Sequence, residues 1–311
     1  MTKPARRGAL SRELKRSARK YWDLYILLIP VVIYFVLFKF LPMYGVQIAF
    51  RDYVPRKGIM GSPWVGFKHF IRFFSSYNCK QIIFNTLSLS FLNLLFNFPL
   101  PIILALVLNE MRTGPMRKTC QMVTYAPHFL STVVVCGMVV SFCSPSSGVV
   151  NSIIKAFGGE PIYFMAKPEW FRPLYIISDI WKNMGWNSII FISALSAIDP
   201  SLYEAASIDG ASRMKQMLYV TLPAILPTIS IMLILNVGKV MNLGFEKVFL
   251  LQTDLNLDVS EVISTMVYRQ GILNAKFSYA SAIDLFNSVV NLILLCSVNF
   301  ISKKVSDVGL W

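Results

Sequence analysis

Long uncharged runs alternate with short polar segments along this chain. A helix needs about 20 mostly apolar residues to cross the hydrocarbon of a bilayer, and six stretches reach that length. The first runs roughly from Leu24 to Phe50, interrupted by Lys39 and Pro42, so its span is expected to end near Leu41. The second lies between Lys80 and Glu110 and holds no charge, and the third follows Lys118 and continues uncharged past Cys143. The fourth starts near Pro173 and ends near Ile198, with Asp179 and Lys182 in its first turns. The fifth begins at Pro223 and reaches about Leu243, with Lys239 late in it; the sixth runs from about Tyr279 to Ser302, with Asp284 early. The pattern predicts an all-α, polytopic membrane protein of six transmembrane helices, both termini on one side.

Two polar-apolar segments break the rhythm. In "SPWVGFKHFIRFF", Ser62 to Phe74, the residues Trp64, Phe67, Phe70, Phe73 and Phe74 follow helix-like spacing. That predicts an interfacial helix lying on the outer surface. In "LYEAASIDGASRMKQMLYVTLP", Leu202 to Pro223, a polar, small-residue-rich and helix-friendly stretch sits between two apolar spans. Leu202, Ala205 and Ala206 share one face of a short helix. Gly210 suits a chain reversal, because it reaches left-handed dihedrals at no steric cost. A second short helix follows, and Pro223 opens span five, where a missing amide donor does no harm. From these residues alone, the hairpin is either a docking element or an amphipathic loop resting on lipid.

Composition supports a membrane protein. Of 311 residues, 55% are hydrophobic and 15% charged, against about a quarter charged in soluble domains, and mean hydropathy is +0.56. The net charge of +14 is concentrated at the start, where eight basic residues (Lys3, Arg6, Arg7, Arg12, Lys15, Arg16, Arg19, Lys20) precede the first span. This divides the chain into a basic cytoplasmic tail, 1–20, and a membrane domain, 21–311. The tail is held inside by the positive-inside bias and drawn to anionic headgroups. The outer loop from Arg51 to Lys80 carries Arg51, Arg56, Lys57, Lys68, Arg72 and Lys80 and argues for the opposite orientation; charge ahead of the first helix takes precedence. The basic residues form no recognition helix or groove, so no nucleic acid partner is expected. The tail is too long for a signal peptide and no small-residue cleavage site follows, so no cleavable leader is expected. The five cysteines lack CxxC spacing and read as buried small hydrophobes, with a Cys79–Cys143 bridge as the alternative.

The hairpin also carries a family pattern. Glu204-Ala205-Ala206, Gly210, then Val220-Thr221-Leu222-Pro223 resembles the EAA signature of permease subunits in bacterial ABC importers, with valine where isoleucine is usual. "AIDPSLYEAASIDGA", Ala197 to Ala211, is similar to the carbohydrate, maltose-type branch. "PMYGVQIAFRDY", Pro42 to Tyr53, and "MNLGFEKVFLLQ", Met241 to Gln252, are similar to its complex-oligosaccharide subgroup. The resemblance implies the type I importer permease fold in a bacterial inner membrane, with both termini cytoplasmic. It implies that a coupling helix at about 201–215 docks onto an ATPase. Glu204, Ala205, Ala206, Asp209 and Gly210 would be the coupling residues, Glu204 meeting a basic residue of the ATPase and Gly210 acting as hinge. The implied partners are a second permease forming a heterodimer, two copies of the ATPase, and an extracytoplasmic sugar-binding protein pressing on the outer loops. ATP and Mg would bind the ATPase, and this chain would hold no cofactor.

Polar groups inside a membrane mark pathways or interhelical ties. Asp179, Asn183 and Asn187 recur at i, i+4 and i+8, beside Trp181 and Trp186. Asn236, Lys239 and Asn242 form a stripe at i, i+3 and i+6, and Asp284, Asn287 and Asn291 another at i, i+3 and i+7. Amides and carboxylates suit hydroxyl-rich ligands, since together they offer donors and acceptors. The expected substrate pathway is Asp179, Trp181, Asn183, Asn187, Asn236, Lys239, Asn242 and Asp284, and the expected cargo an oligosaccharide. Lys239 has three readings: pairing with Asp284, snorkelling to headgroups, or meeting a substrate carboxylate. Asn85, Asn93 and Asn97 line one flank of span two and are assigned to packing against the partner permease. No GxxxxGK[ST], HExxH or GxSxG sequence occurs, so no catalytic centre is expected. The main rival is an ion-driven secondary carrier. Those folds usually show internal repeats with paired broken helices, and this pattern does not.

Overall fold

The computed structural model describes residues 20–241, 243–306 and 309. The basic tail and Asn242 therefore lie outside the described residues, apart from Lys20. Among the described residues the regular structure is helical; the sole extended pairing is a lone antiparallel bridge between Arg51 and Trp64. Four helices are long and apolar enough to cross a membrane: Trp22–Phe50, Cys79–Glu110, Arg213–Val237 and Phe277–Lys304. Counting each of two bent pairs as one span brings the number to six by length and composition: Pro115–Phe129 with Thr132–Phe142, at 100°, and Pro168–Ser196 with Pro200–Ile208, at 69°. The described residues fall into two compact units, one ending at His69 and the other beginning at Phe70.

In the first unit, α1 (Trp22–Phe35) continues through a π-helical turn, Val36–Phe40, and shorter turns to Phe50. The expected stop near Leu41 does not occur. Leu41 N–H reaches back to the Val36 carbonyl, a one-residue slip that lets Pro42 start a new turn where its missing donor costs nothing. The aromatic segment departs from expectation too. Only α2 (Lys68–Phe74) is helical there. Pro63 has no donor and Gly66 takes φ +60°, so Trp64 is held in the bridge, stacked on Phe50 at 5.6 Å. Arg51 lies 5.4 Å from the Trp64 ring and donates to the Ser62 carbonyl at 2.8 Å. Asp52 accepts from Lys68 at 2.6 Å and lies 3.0 Å from His69 Nε2. The Lys68 ammonium holds the Asp52 carboxyl below its ordinary range.

In the second unit, span two is α3 (Cys79–Asn97) running into α4 (Pro99–Glu110), and the first bent pair is α5 (Pro115–Tyr125) and α6 (Thr132–Phe142). The second bent pair is α7 (Pro168–Ser196) and α8 (Pro200–Ile208). Then come α9 (Arg213–Gln216), α10 (Leu222–Val237), α11 (Phe245–Leu251), α12 (Ile263–Tyr268) and α13 (Phe277–Ser306). Pro99, Pro115, Pro168 and Pro200 each occupy the first helical position, where the lost amide would be unpaired anyway.

Buried apolar clusters join these helices. Ala105, Phe191, Leu195 and Ile225 pack α4, α7 and α10 together. Leu89, Cys136, Tyr175, Val248 and Leu251 pack α3, α6, α7 and α11. The tightest crossing is α5 on α7: a Cβ on Gly185 would stand 2.0 Å from the Thr124 carbonyl oxygen. Small residues permit such backbone approach between membrane helices. All five cysteines are free, so the alternative of a Cys79–Cys143 bridge does not apply. Cys79 and Cys143 are buried among apolar side chains.

Candidate functional site

Span five ends sooner than its apolar run. α10 stops at Val237, and Gly238 to Met241 form a turn. The stripe expected from Asn236, Lys239 and Asn242 is thus broken: Asn236 sits on the last helical turn, Lys239 lies beyond it, and Asn242 is outside the described residues. A helix end in a membrane must find partners for its freed carbonyls. Ser90 Oγ donates to the Val240 carbonyl at 2.7 Å, Asn287 Nδ2 to Met241 at 3.4 Å, and Asn291 Nδ2 to Gly238. Two of the three residues of the span-six stripe therefore bind the backbone of this turn.

That turn forms one wall of a cavity of about 210 Å³, lined by Ser90, Asn93, Asn97, Asp179, Asn187, Asn236 and Lys239 among others. A contiguous hollow of the same size shares Phe98 and adds Pro101, Phe191, Met232 and Leu235 around Asn97, Asn187, Asn236 and Lys239. Four of the expected pathway residues, Asp179, Asn187, Asn236 and Lys239, are thereby brought together. Asn93 and Asn97, assigned from sequence to subunit packing, line the same cavity. The third member of that flank, Asn85, is buried and bonds within its own chain, to the Asp258 and Glu261 carbonyls at 2.8 and 3.1 Å.

The remaining expected residues are elsewhere. Trp181 lines an apolar cavity of about 300 Å³ with Val135, Phe142 and Cys143. Asp284 lines another, with Tyr268, Gly271 and Phe277. Lys239 and Asp284 therefore do not pair, and Lys239 has no ion-pair partner among the described residues. Asn183 donates to Asp179 Oδ1 at 3.2 Å and meets His128 Nδ1 at 3.1 Å, while Trp186 stacks on the His128 ring at 4.6 Å.

Sequence reasoning missed Lys247. On α11, its ammonium lies 3.0 Å from Asp179 Oδ1, 2.8 Å from the Tyr175 carbonyl and 4.5 Å from the Tyr175 ring centre, with 6% of its side chain exposed. Burial pushes Lys247 below the usual ammonium range, and Asp179 pulls it back up. A lone lysine among Phe245, Val248, Phe249 and Leu251 was the available signal, hidden because this stretch reads as an outer loop.

At the other end, the 69° bend turns α8 away from α7. Asp199 caps it, accepting from Ser201 N–H at 2.9 Å, which lowers its carboxyl below the ordinary range. Gly210, at φ +73°, ends it: Ala211 N–H bonds the Ala206 carbonyl and Gly210 N–H that of Ser207, the paired bonds of a Schellman stop. Glu204, Ala205, Asp209 and Gly210 are exposed and Ala206 is partly covered; Leu202 and Ile208 expose 49% and 86% of their surface. The far arm, α9, runs through a π-helical turn, Met217–Thr221, straight into α10. Pro223 is therefore not the opening residue of span five; the slip of the Leu222 N–H back to Met217 accommodates it. Tyr203 OH meets Thr221 Oγ1 at 3.0 Å, and Gln216 Nε2 donates to Ser207 Oγ at 3.0 Å and to the Ala211 carbonyl at 3.1 Å.

A sequence model described as the binding-protein-dependent transport system inner membrane component matches residues 15–307. The chain belongs to this family. It is 46% identical over 298 residues to a polygalacturonan/rhamnogalacturonan transport system permease protein of Bacillus subtilis, covering 96% of this chain and 92% of the other. It is 45% identical over 293 residues to the protein LplB of the same organism, covering 94% and 92%. A solved bacterial ABC transporter involved in import of the acidic polysaccharide alginate superposes with a TM-score of 0.88 at 42% identity, over 94% of this chain and 99% of that one. As an inner-membrane permease component of an ABC importer, the protein has the six-span type I fold, and an ion-driven carrier is set aside.

Proposed function

We propose that this permease carries acidic oligosaccharides into the cytoplasm as one half of a heterodimer, driven by two copies of an ATPase and fed by an extracytoplasmic binding protein. The observation that carries the reading is the amide-lined cavity holding the ammonium of Lys239 without an ion-pair partner among the described residues. Hydroxyl-rich chains need paired donors and acceptors, which Asn93, Asn97, Asn187 and Asn236 supply. An unmatched cation at membrane depth is expensive, and an anionic ligand relieves that expense. The relatives' names agree in chemistry: one transports polygalacturonan and rhamnogalacturonan, another imports the acidic polysaccharide alginate, and a related structure holds a periplasmic protein bound to an alginate pentasaccharide.

In this reading both termini are cytoplasmic, α8 is the coupling helix, and Glu204, Ala205, Ala206, Asp209 and Gly210 form the surface that meets the ATPase. The exposed Leu202 and Ile208 side chains of α8 are what a docked ATPase would cover. This chain supplies no nucleotide site and holds no cofactor; hydrolysis belongs to the assembled complex.

The test compares a uronic-acid trisaccharide with the same trisaccharide carboxyl-reduced, each offered to the purified permease complex in nanodiscs without the binding protein. Lys239→Gln is expected to weaken binding of the acidic sugar by about tenfold or more and to leave the reduced one nearly unchanged, the scale of a lost charged contact. Equal effects on both sugars sink the carboxylate role of Lys239.

A further inference from the structure

We infer that Lys247, which does not line the cavity, determines its charge preference by neutralising Asp179 from behind. The inference rests on the proposed transport of acidic sugars and names a residue on which that selectivity depends. Two charged side chains line the cavity, Asp179 and Lys239. Left to themselves they would cancel, and a carboxylate entering the cavity would meet a repelling neighbour as well as an attracting one. Lys247 removes the repulsion. Its ammonium touches Asp179 Oδ1 at 3.0 Å from the buried side of α11, and its other contacts, the Tyr175 carbonyl and ring, are buried groups of α7.

The same Oδ1 also accepts from Asn183, itself held against His128 and the His128–Trp186 stack. Asp179 is thus fixed in place from two directions, α11 and the α5–α6 bend. The remaining nearby ammonium, Lys182, donates to Thr132 Oγ1 at 3.1 Å and lines neither hollow. Asp179 and Lys247 together sum to zero, which leaves Lys239 as the uncompensated charge among the residues lining the cavity. The 3.0 Å contact lies where both side chains are largely covered, Lys247 at 6% and Asp179 at 19% exposed, and Coulomb interactions are strong in such surroundings, so a residue outside the cavity lining still governs which sugars bind.

Binding of the acidic and the carboxyl-reduced trisaccharide to the same nanodisc complex tests this. Lys247→Met exposes Asp179 to Lys239, and the acidic-to-neutral affinity ratio is expected to fall about tenfold, which is about 1.4 kcal/mol. The double variant Asp179→Asn with Lys247→Met is uncharged at both positions and should return the ratio to the wild-type value. Asp179→Asn alone adds net positive charge and should hold or raise the ratio. An unchanged ratio in Lys247→Met, or no recovery in the double variant, overturns the inference. So does any fall of the ratio in Asp179→Asn, since the pair would then be structural only; this outcome is readable even if Lys247→Met alone fails to fold. If Lys239→Gln changes the ratio while Lys247→Met does not, the inference fails and the proposed cargo stands. If Lys239→Gln leaves the ratio untouched, the cargo reading itself fails.

Discussion

Single residues carry two kinds of work in this protein, and sequence separates them poorly. Asn291 and Asn287 share a helical stripe with Asp284, yet both bind the carbonyls of the turn that ends α10, while Asp284 lines a different cavity. Asn97 and Asn236, on separate spans, converge on one cavity. The residue type states that a polar group needs a partner; only the fold says whether that partner is backbone, side chain or cargo. Gly185 is the sharpest case at this scale. Nothing in "NMGWNS" singles it out, but an added methyl would stand 2.0 Å from the Thr124 carbonyl oxygen and 2.4 Å from its carbon. Backbone cannot rotate away as a side chain can, so α5 and α7 would have to separate. Gly185→Ala is expected to destabilise the permease by about 3 kcal/mol or more, at or above the upper range for overpacking. The measurement is thermal unfolding of the detergent-purified complex, and a melting temperature within a degree of wild type contradicts the crossing.

Elements add constraints that spacing alone does not reveal. The hairpin of α8 and α9 was legible as a helix, a glycine reversal and a second helix. Its attachment was not: Tyr203, Thr221, Gln216 and Ser207 close a set of hydrogen bonds that ties α8 to the start of span five. With Gly210 engaged in a Schellman stop, these bonds join α8 directly to the base of α10. Tyr203→Phe removes one such bond, about 1 kcal/mol net. ATP turnover by the reconstituted complex is expected to persist, while sugar moved per ATP falls several-fold; an unchanged ratio contradicts the tie. In the first unit, Asp52 links Lys68 to the loop around Trp64. Its folded pKa lies below the ordinary value of 3.8, so its stabilising contribution is present above that value and is lost as pH falls through the folded one. Hydrogen exchange of residues 51–69, corrected for intrinsic rate, should be equally protected at about pH 7 and 5 and rise below about pH 4, in line with carboxylate reference values. Asp52→Asn should abolish that dependence.

At the scale of the whole molecule, the chain is one component of a larger machine. Its cavity opens on exposed Asn187, Asn236 and Lys239, and its hairpin exposes Leu202 and Ile208; in the proposed assembly the first faces cargo and the second the ATPase. Glu204→Lys reverses an exposed charge on α8 without touching a side-chain hydrogen bond among the described residues. The expected outcome is a complex that reaches the membrane but loses the ATP turnover stimulated by loaded binding protein, read by phosphate release from proteoliposomes. Retained stimulation contradicts the docking role of α8.

Apolar runs of bilayer length and the EAA pattern by themselves determined the membrane fold, the span count and the family, because desolvating some 20 residues in sequence is a local matter, whereas Pro42 and Pro223 proved to sit inside their spans. Where α10 stops, which amides share a cavity, and that Lys247 cancels Asp179 across 68 positions were decided only by tertiary structure. Charge balance and carbonyl satisfaction in a bilayer depend on which side chains arrive from other helices, and periodicity within one helix holds no record of them.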